Sequence, residues 1–588
     1  MHKDLRSFIR QLQTEKDIVE ISAPVDPYLE IPEIHRRVID EQGPALLFTN
    51  VKDSDFPVVT NLFGTRRRVD LVTGPRPEDL VKSMVQALDR LLPPKPSALW
   101  GERGWLLDIA RTGMKKVSPK DAPVLGHHDG LQQVNMLQLP ALTGWQEDGG
   151  PFLTLPLVYT EHPEKRDHNL GMYRMQLFEK SQTGMHWQIH KGGGFHHYEA
   201  EQRNQALPVT VFLGGPPALT LTAIAPLPEM VPELVFTSFL MGEKLQLVDV
   251  PNHPHSLVAG AEFAFCGEVP PHVRRPEGPF GDHYGYYSWT HDFPVFNVKN
   301  VYRRKDAIFP ATVVGKPRQE DYFIGEYLQS LLSPLFPVVM TGVKQLWTYA
   351  ETGFHALAGA VVRESYYREA LAHAMRIMGE GQLTLTKFLM VTDQDLDLAD
   401  FPNLLENILC RFNPAQDLLI INDTSMDTLD YTGRRFNKGS KAIMTGLGQP
   451  IRELPRAYTK GALPELTKVK PYCGGCLVVS GASYKEKPEL ASLLVKLGQE
   501  QLADWPLVVL VDDADTIVDQ TSFLWTVFTR FDPANDVYAQ SEIKHNKILY
   551  SGPIFIDARM KPHYPDELIP RPDIVKKVDQ RWHEYFPK

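Results

Sequence analysis

Pro276-Glu277-Gly278-Pro279-Phe280-Gly281-Asp282-His283-Tyr284-Gly285-Tyr286-Tyr287 sets two carboxylates five residues apart in a segment stiffened by proline and loosened by three glycines. Four large rings (Phe280, Tyr284, Tyr286 and Tyr287) share the stretch. A surface turn uses Gly and Pro in this way but rarely adds so many rings. A pocket that binds a flat, apolar acid and hands it a proton would use all of them.

Around this stretch, from about 122 to 315, short apolar runs such as Leu153–Val158, Val209–Leu213 and Phe293–Val301 are separated by Gly/Pro turns, of which Gly214-Gly215-Pro216-Pro217 is the clearest. That spacing predicts a mostly β barrel or sandwich. Toward the N-terminus the texture is α/β. Leu5, Phe8, Ile9 and Leu12 recur at helical spacing, Ile18–Ile21 reads as a strand, Glu30–Glu41 as a helix and Ala45–Asn50 as a strand. After 320 helices return, with one expected over Tyr367–Met378. The C-terminal part contains a repeat: Arg411-Phe412-Asn413-Pro414-Ala415-Gln416-Asp417 recurs as Arg530-Phe531-Asp532-Pro533-Ala534-Asn535-Asp536. Each copy follows a buried-looking strand ending in acid, Phe388–Asp393 and Val508–Asp513. Two copies are too few for a solenoid, and the pattern predicts a duplicated α/β unit whose repeated acids cap helices.

The bulk composition narrows the function class. At 588 residues the chain exceeds one core, and 43% apolar with 23% charged residues is ordinary for a globular protein. A net charge of −10 argues against a nucleic-acid binder. No run approaches the ~18 apolar residues of a membrane span, the N-terminus carries no signal-peptide pattern, and four cysteines make no disulfide framework. A cytoplasmic protein with at most peripheral membrane contact is expected.

Three further segments could carry chemistry. In His168-Asn169-Leu170-Gly171-Met172-Tyr173-Arg174, a strand bending at glycine could point Asn169 and Arg174 into one cavity, an oxygen donor for a metal beside a fork for a carboxylate. In Met185-His186-Trp187-Gln188-Ile189-His190-Lys191-Gly192-Gly193-Gly194-Phe195-His196-His197, backbone N–H groups around Lys191–Gly194 could cradle a phosphate. His186 and His190 fit a zinc helix only if that segment is helical, and His196 and His197 read as the solvent face of a following helix. Glu233, taken alone, is a first-turn acid favoured by a helix dipole. Cys473-Gly474-Gly475-Cys476 is a lone pair of thiols and reads as a turn.

Together these segments resemble the UbiD family of decarboxylases. Asp4-Leu5-Arg6, Val25-Asp26-Pro27, Gly43-Pro44-Ala45-Leu46-Leu47-Phe48 and Asn61-Leu62-Phe63-Gly64-Thr65 begin the match. Asn169–Arg174, Pro228–Glu233, the Glu277–Asp282 loop, Tyr302-Arg303 with Asp306-Ala307-Ile308, Lys387–Asp395 and Gly439-Ser440-Lys441 continue it. The resemblance spans about residues 1 to 450, and the tail looks like that of the longer bacterial members, menaquinone-biosynthesis decarboxylases among them. It implies a multidomain α+β fold: an N-terminal α/β domain (1–120), a central split β-barrel of flavin-reductase type (121–318), a C-terminal α/β oligomerisation domain (319–465) and an extension repeating that unit (466–588).

The resemblance also implies prenylated FMN as cofactor, with Mn2+ (or Mg2+) and K+. Asn169 and Glu233 align with metal ligands, and the third is His186 or His190. Met172, Tyr173, Arg174, His186, Trp187, Gln188, Lys191 and Gly192 match cofactor-contacting segments, and the backbone at Leu170, Thr222, Ala223 and Ala225 lies where the family coordinates potassium. Arg174, Glu277 and Asp282 match a catalytic Arg-acid-acid network in which Asp282 protonates the carbon that loses CO2. A carboxyl beside another carboxylate and an apolar substrate is expected to have a raised pKa. Two places depart from the family pattern, Gly379-Glu380-Gly381 near the cofactor phosphate and Met444-Thr445-Gly446 in the pocket wall. The implied partners are an aromatic acid, a flavin prenyltransferase as cofactor supplier and further copies of the chain in a dimer or hexamer. The implied substrate is a hydroxybenzoate or naphthoate, prenylated or not, of quinone biosynthesis. Two alternatives stand beside it: decarboxylation or carboxylation of a smaller unsaturated or heteroaromatic acid, and a non-catalytic scaffold role.

Overall fold

The structure is a computed structural model that describes residues 2–91, 111–165, 167–188, 192–227 and 231–587. The chain forms two compact units, one built from 1–331 with 566–588 and the other from 332–565. The sequence-based boundaries at 120 and 318 fall within the first unit and the one at 465 within the second.

The first unit opens with helix Leu5–Thr14. Asp4 caps it by accepting the Ser7 backbone N–H while the Ser7 hydroxyl and the Asp4 backbone complete the reciprocal box. Its four apolar residues at helical spacing are the four that are buried. Burial of that face contributes about 1.5–3 kcal/mol per large side chain. Arg304 reaches Asp4 at 2.7 Å and Arg6 reaches the buried Glu262 at 3.1 Å, which fastens this helix to the large sheet behind it. A four-stranded sheet follows, ordered Ile18–Ile21, Ala45–Phe48, Val58–Thr60 and Phe309–Pro310.

The centre of this unit is a ten-stranded antiparallel sheet that carries the candidate site. Its long strand His291–Arg303 serves as a spine. Residues 295–297 pair with Gln182–Gly184, 297–303 with 263–268, 291–294 with Arg274–Glu277, and 300–303 with His127–Gly130. The apolar run expected as one strand at Leu153–Val158 is two, Phe152–Leu153 and Leu157–Glu161. Pro156 lacks the N–H that a continuous ladder would need, so the chain leaves one part of the sheet and re-enters at another.

The second unit contains two five-stranded sheets. One runs Val343–Thr348, Leu357–Val362, Phe388–Thr392, Lys438–Gly446, Leu418–Ser425, and the other Leu466–Cys473, Cys476–Gly481, Leu507–Val511, Lys547–Asp557, Val537–Lys544. In each, the outer pairs are antiparallel and the inner pairs parallel. Phe388, Phe401, Phe523, Phe528 and Phe531 pack edge-on and tilted between them. Asp417 accepts the Asn413 N–H and Asp536 accepts the Asp532 N–H, both at 2.8 Å, so the repeated sequence makes the same turn twice. The repeated polar residues diverge in one respect. Asn413 caps its short helix, whereas the Asp532 carboxylate turns instead to Ser440, accepting its N–H at 2.9 Å and its hydroxyl at 2.7 Å. Cys473 and Cys476 face each other across a two-residue hairpin turn, as the sequence predicts. Among the described residues no helix is long and apolar enough to cross a membrane.

Candidate active site

Three parts of the large sheet converge on Arg174. Strand His168–Met172 ends at Met172, with Gly171 inside it, and Tyr173-Arg174 lead into strand Met175–Glu179. Arg174 Nε donates to Glu277 Oε1 at 3.1 Å, one terminal nitrogen pairs with Asp282 Oδ2, and the other donates to Ser288 Oγ at 2.9 Å. Its guanidinium carbon lies 4.6 Å from the centre of the Phe280 ring. The Arg174, Glu277 and Asp282 side chains are 8%, 0% and 9% exposed. A buried ion cluster of this kind persists because each charge is paired; loss of one partner costs about 3–5 kcal/mol.

His186 joins the cluster from the segment after strand Gln182–Gly184, with Nδ1 3.1 Å from Glu277 Oε1. Burial pushes the Glu277 carboxyl up, but the charges of His186 and Arg174 and their hydrogen bonds outweigh it and hold the group below its ordinary value. Asp282 behaves in the same way, which corrects the expectation of a raised acid. Burial raises it, while Arg174, the His283 hydrogen bond and the His283 charge hold it well below the usual carboxylate range. The expectation placed a carboxylate neighbour beside Asp282 but omitted the cation that stands between the two. These partners favour the carboxylate form of Asp282, so it must take up a proton before it can give one.

The loop carrying Asp282 is clamped from both sides. The Asp148 carboxylate accepts the Gly281 N–H at 2.8 Å with one oxygen, and the Gly144 and Trp145 N–H groups at 2.8 and 2.9 Å with the other. Burial nevertheless pushes Asp148 up to about 7 against these donors. A Cβ on Gly281 would overlap the Trp145 ring, so only glycine fits there. Gln176 accepts the Gly278 N–H at 2.9 Å, and Ser288 Oγ accepts the Phe280 N–H at 3.2 Å. On the other side the last residues of the chain return. Tyr287 N–H donates to Asp566 O and Leu568 N–H donates to Gly285 O, both at 3.0 Å, and Leu568 packs with Trp145 and Tyr287. Helix Pro572–Tyr585 then anchors this return on helix Glu30–Asp40, where Glu30 accepts Lys577 at 2.8 Å and the Tyr585 hydroxyl at 2.6 Å.

Asn169 and Glu233 lie in a second neighbourhood. Glu233 is the first residue of helix Glu233–Met241, its carboxylate takes the Leu170 N–H, and burial pushes it up to about 7. Asn169 Nδ2 donates to the buried Tyr173 hydroxyl at 3.3 Å, and the Gly193 N–H approaches the same hydroxyl at 3.4 Å. Tyr173 is itself pushed up to about 12 by burial. Helix Pro217–Ile224 packs against strand His168–Met172 and the Glu233 helix, so Thr222, Ala223 and its cap Ala225 bring a carbonyl-rich helix end to the same place. His186, expected as a third ligand, is bonded to Glu277 through Nδ1, leaving Nε2 3.5 Å from Gln188 Nε2. His190 and Lys191 lie outside the described residues. No group of three His, Cys, Asp or Glu able to hold a metal occurs among the described residues; the expected set differs by including an amide.

The residues fit a phosphate-bearing flavin with a hard cation. Gly192 opens helix Gly192–Gln202 with its Cα so close to Asn169 that a Cβ would overlap the amide, and Gly193 stands in the same relation to Trp187 Nε1. Trp187 Nε1 and Glu277 Oε2 are buried polar atoms with no hydrogen-bond partner among the described residues. Met172 is half-buried at the end of its strand beside this cradle. His196 and His197, expected on a solvent face, are 5% and 3% exposed. Their helix is packed on strand Leu157–Glu161, where His196 Nδ1 meets the Thr160 hydroxyl at 2.9 Å. Sequence reasoning missed His283, Ser288, Asp148 and the returning tail. His283 and Ser288 were visible as polar residues within or next to the aromatic loop, whereas the tail carries no local signal.

Three family models match the chain: the N-terminal domain of 3-octaprenyl-4-hydroxybenzoate carboxy-lyase (UbiD) over residues 9–88, its Rift-related domain over 115–317 and its C-terminal domain over 322–446. A Chlamydia pneumoniae protein, named as one component of a 4-hydroxybenzoate decarboxylase, is 52% identical over 99% of this chain and 98% of its own length. The vanillic acid decarboxylase of Sedimentibacter hydroxybenzoicus, in closed form, superposes with TM-score 0.68 at 22% identity over 79% of this chain and 96% of its own. An evolved dimeric form of the UbiD-class enzyme HmfF from Pelotomaculum thermopropionicum, in complex with prFMN, gives 0.60 at 22% over 79% and 97%. At that identity the two solved structures establish likeness of fold.

Proposed function

The chain belongs to the UbiD family of carboxy-lyases, and from that premise we propose that it removes CO2 from an aromatic acid of the hydroxybenzoate class with prenylated FMN as cofactor. The observation that carries the reading is the buried cluster in which Arg174 binds Glu277, Asp282 and Ser288 at once. Decarboxylating an sp2 carbon leaves an unstabilised carbanion, and the flavin supplies the electron sink for it.

The chain's own residues do the rest. Arg174 orients the substrate carboxylate and fixes both acids with its planar fork. Glu277 holds His186 by Nδ1, which leaves Nε2 to face a metal, an arrangement typical of a ligand imidazole backed by a carboxylate. Asn169, Glu233 and His186 would hold Mn2+ or Mg2+, for which oxygen donors with one imidazole are suited. The carbonyls near Leu170, Thr222, Ala223 and Ala225 would hold K+, favoured by the negative end of a helix. Gly192, Met172, Tyr173, Trp187 and Gln188, with Lys191, would line the flavin. Asp282 delivers the proton to the carbon that loses CO2. We read the large sheet as a split barrel, the second five-stranded sheet as a duplicate of the first and the unit 332–565 as the site of self-association. A flavin prenyltransferase would supply the cofactor.

The test is CO2 release by protein co-expressed with a flavin prenyltransferase, supplied in turn with 4-hydroxybenzoate, hydroxynaphthoates and smaller heteroaromatic acids. Turnover of a hydroxybenzoate, abolished in Asp282→Asn with flavin retained, supports the reading. Turnover of heteroaromatic acids alone would move the substrate class, and full activity in Asp282→Asn would remove that residue from the chemistry.

A further inference from the structure

We infer that His283 is the residue through which Asp282 regains, from solvent, the proton spent in each turnover. The inference rests on the reading of Asp282 as proton donor. Decarboxylation of a carboxylate, RCOO− + H+ → RH + CO2, consumes one proton and neither electrons nor oxidant. The donor must therefore be refilled every cycle, and Asp282 is 7% exposed.

The two oxygens of Asp282 face different partners. Oδ2 is held by Arg174, which keeps its protons at any ordinary pH. Oδ1 accepts the His283 backbone N–H at 2.7 Å and stands 2.6 Å from His283 Nδ1. The imidazole is 26% exposed against 9% for the Asp282 side chain, so one ring spans the distance from a buried carboxylate to water. An imidazole titrates near pH 6.5, which suits it to take up protons from neutral solution. Asp321, at the start of helix Glu320–Leu332, also acts on this pair. Burial pushes its carboxyl up, the His283 charge draws it down, and the Asp282 charge pushes it up again. His186 also lies near enough to act on Asp282. His283 is thus flanked by two carboxyl groups, with Arg174 held on the other oxygen of Asp282.

The transfer has a simple balance. The imidazolium of His283 gives its Nδ1 proton to the Asp282 carboxylate, Asp282 passes that proton to the carbon and is a carboxylate again, and the neutral imidazole is reprotonated from solvent. His283 acts through Asp282 and touches no reacting atom.

The experiment compares wild type, His283→Ala and His283→Gln, each loaded with flavin, for CO2 release between pH 5.5 and 9. Expected are a fall in kcat of about tenfold or more with KM and flavin content unchanged. Wild-type kcat should decline as pH rises through the His283 titration, and that limb should be absent from both variants. Added imidazole should restore part of the His283→Ala rate in proportion to its protonated fraction. A kcat within twofold of wild type, or a loss with the pH limb intact and no imidazole rescue, overturns the inference. If wild type releases CO2 from no acid, the function reading fails instead. The pairing is then read by NMR titration of labelled histidine, assigned with His283→Gln. A His283 pKa that falls in Asp282→Asn supports the pairing, and an unchanged one overturns it.

Discussion

Arg174→Met should convert two stabilised acids of the first unit into a liability. Arg174 is the shared partner of two carboxylates whose side chains are 0% and 9% exposed. Removing it leaves buried charge uncompensated, a change that costs about 3–5 kcal/mol. The sign depends on pH. In the native protein Glu277 and Asp282 are both held below their ordinary values. Their contribution is therefore present above the unfolded carboxyl range near pH 4 and is lost as pH falls below it. In Arg174→Met burial is no longer outweighed at Asp282, the folded-state values rise, and the penalty appears at neutral pH and shrinks on acidification. Because the chain has two units, a single melting temperature is a poor measure. Hydrogen exchange of the strand amides over Met175–Glu179, followed by mass spectrometry, reports local opening free energy directly. At pH 7.5 the variant should open more easily by about 3–5 kcal/mol, at pH 4.5 by less, and Arg174→Met with Asp282→Asn should recover part of the loss. An equal loss at both pH values, or one below about 1 kcal/mol at pH 7.5, would refute the reasoning.

Other outcomes follow from the same geometry. Asp148→Ala should cost about 1–3 kcal/mol, since it orphans the buried N–H groups that its carboxylate accepts, and should lower kcat by loosening the loop; both are read by hydrogen exchange and CO2 release. Because burial pushes Asp148 up to about 7, the folded protein binds that proton more tightly than the unfolded chain does. Stability should thus fall as pH rises from about 4 to 7, and Asp148→Asn should remove that slope. Leu568→Pro deletes the N–H donated to Gly285 and should reduce kcat by about tenfold with flavin retained, an amount equal to about 1.4 kcal/mol in the barrier. Glu233→Gln should lower bound manganese, measured by elemental analysis of the purified protein, without unfolding the sheet.

Local patterns in the sequence mapped well onto local structure. Leu5, Phe8, Ile9 and Leu12 declare their helix because periodicity is written in neighbours, and Ile18–Ile21, Glu30–Asp40 and Leu207–Leu213 form where their apolar patterns place them. The loop carrying Glu277 and Asp282 was legible from its own residues, but its meeting with Arg174 only through resemblance, because Arg174 meets Glu277 103 residues away and no local pattern encodes that meeting. What escaped was environment. The ionisation of Asp282 depends on burial and on the position of a cation and a histidine. His196 and His197 look like solvent-facing residues until strand Leu157–Glu161 is placed over them. The return of Asp566–Leu568 to the Gly285–Tyr287 turn is a backbone pairing, which side-chain identity does not announce, and it lies beyond the segments that the family models match.

The central claim is flavin-dependent decarboxylation, and one preparation tests it: protein co-expressed with a flavin prenyltransferase without oxygen, with the bound cofactor weighed by mass spectrometry and CO2 measured from 4-hydroxybenzoate. The account predicts a flavin heavier than FMN by a prenyl unit, a stoichiometric divalent metal and CO2 release that Asp282→Asn abolishes. A well-folded protein that binds no flavin and releases no CO2 would contradict it and leave the scaffold reading in its place.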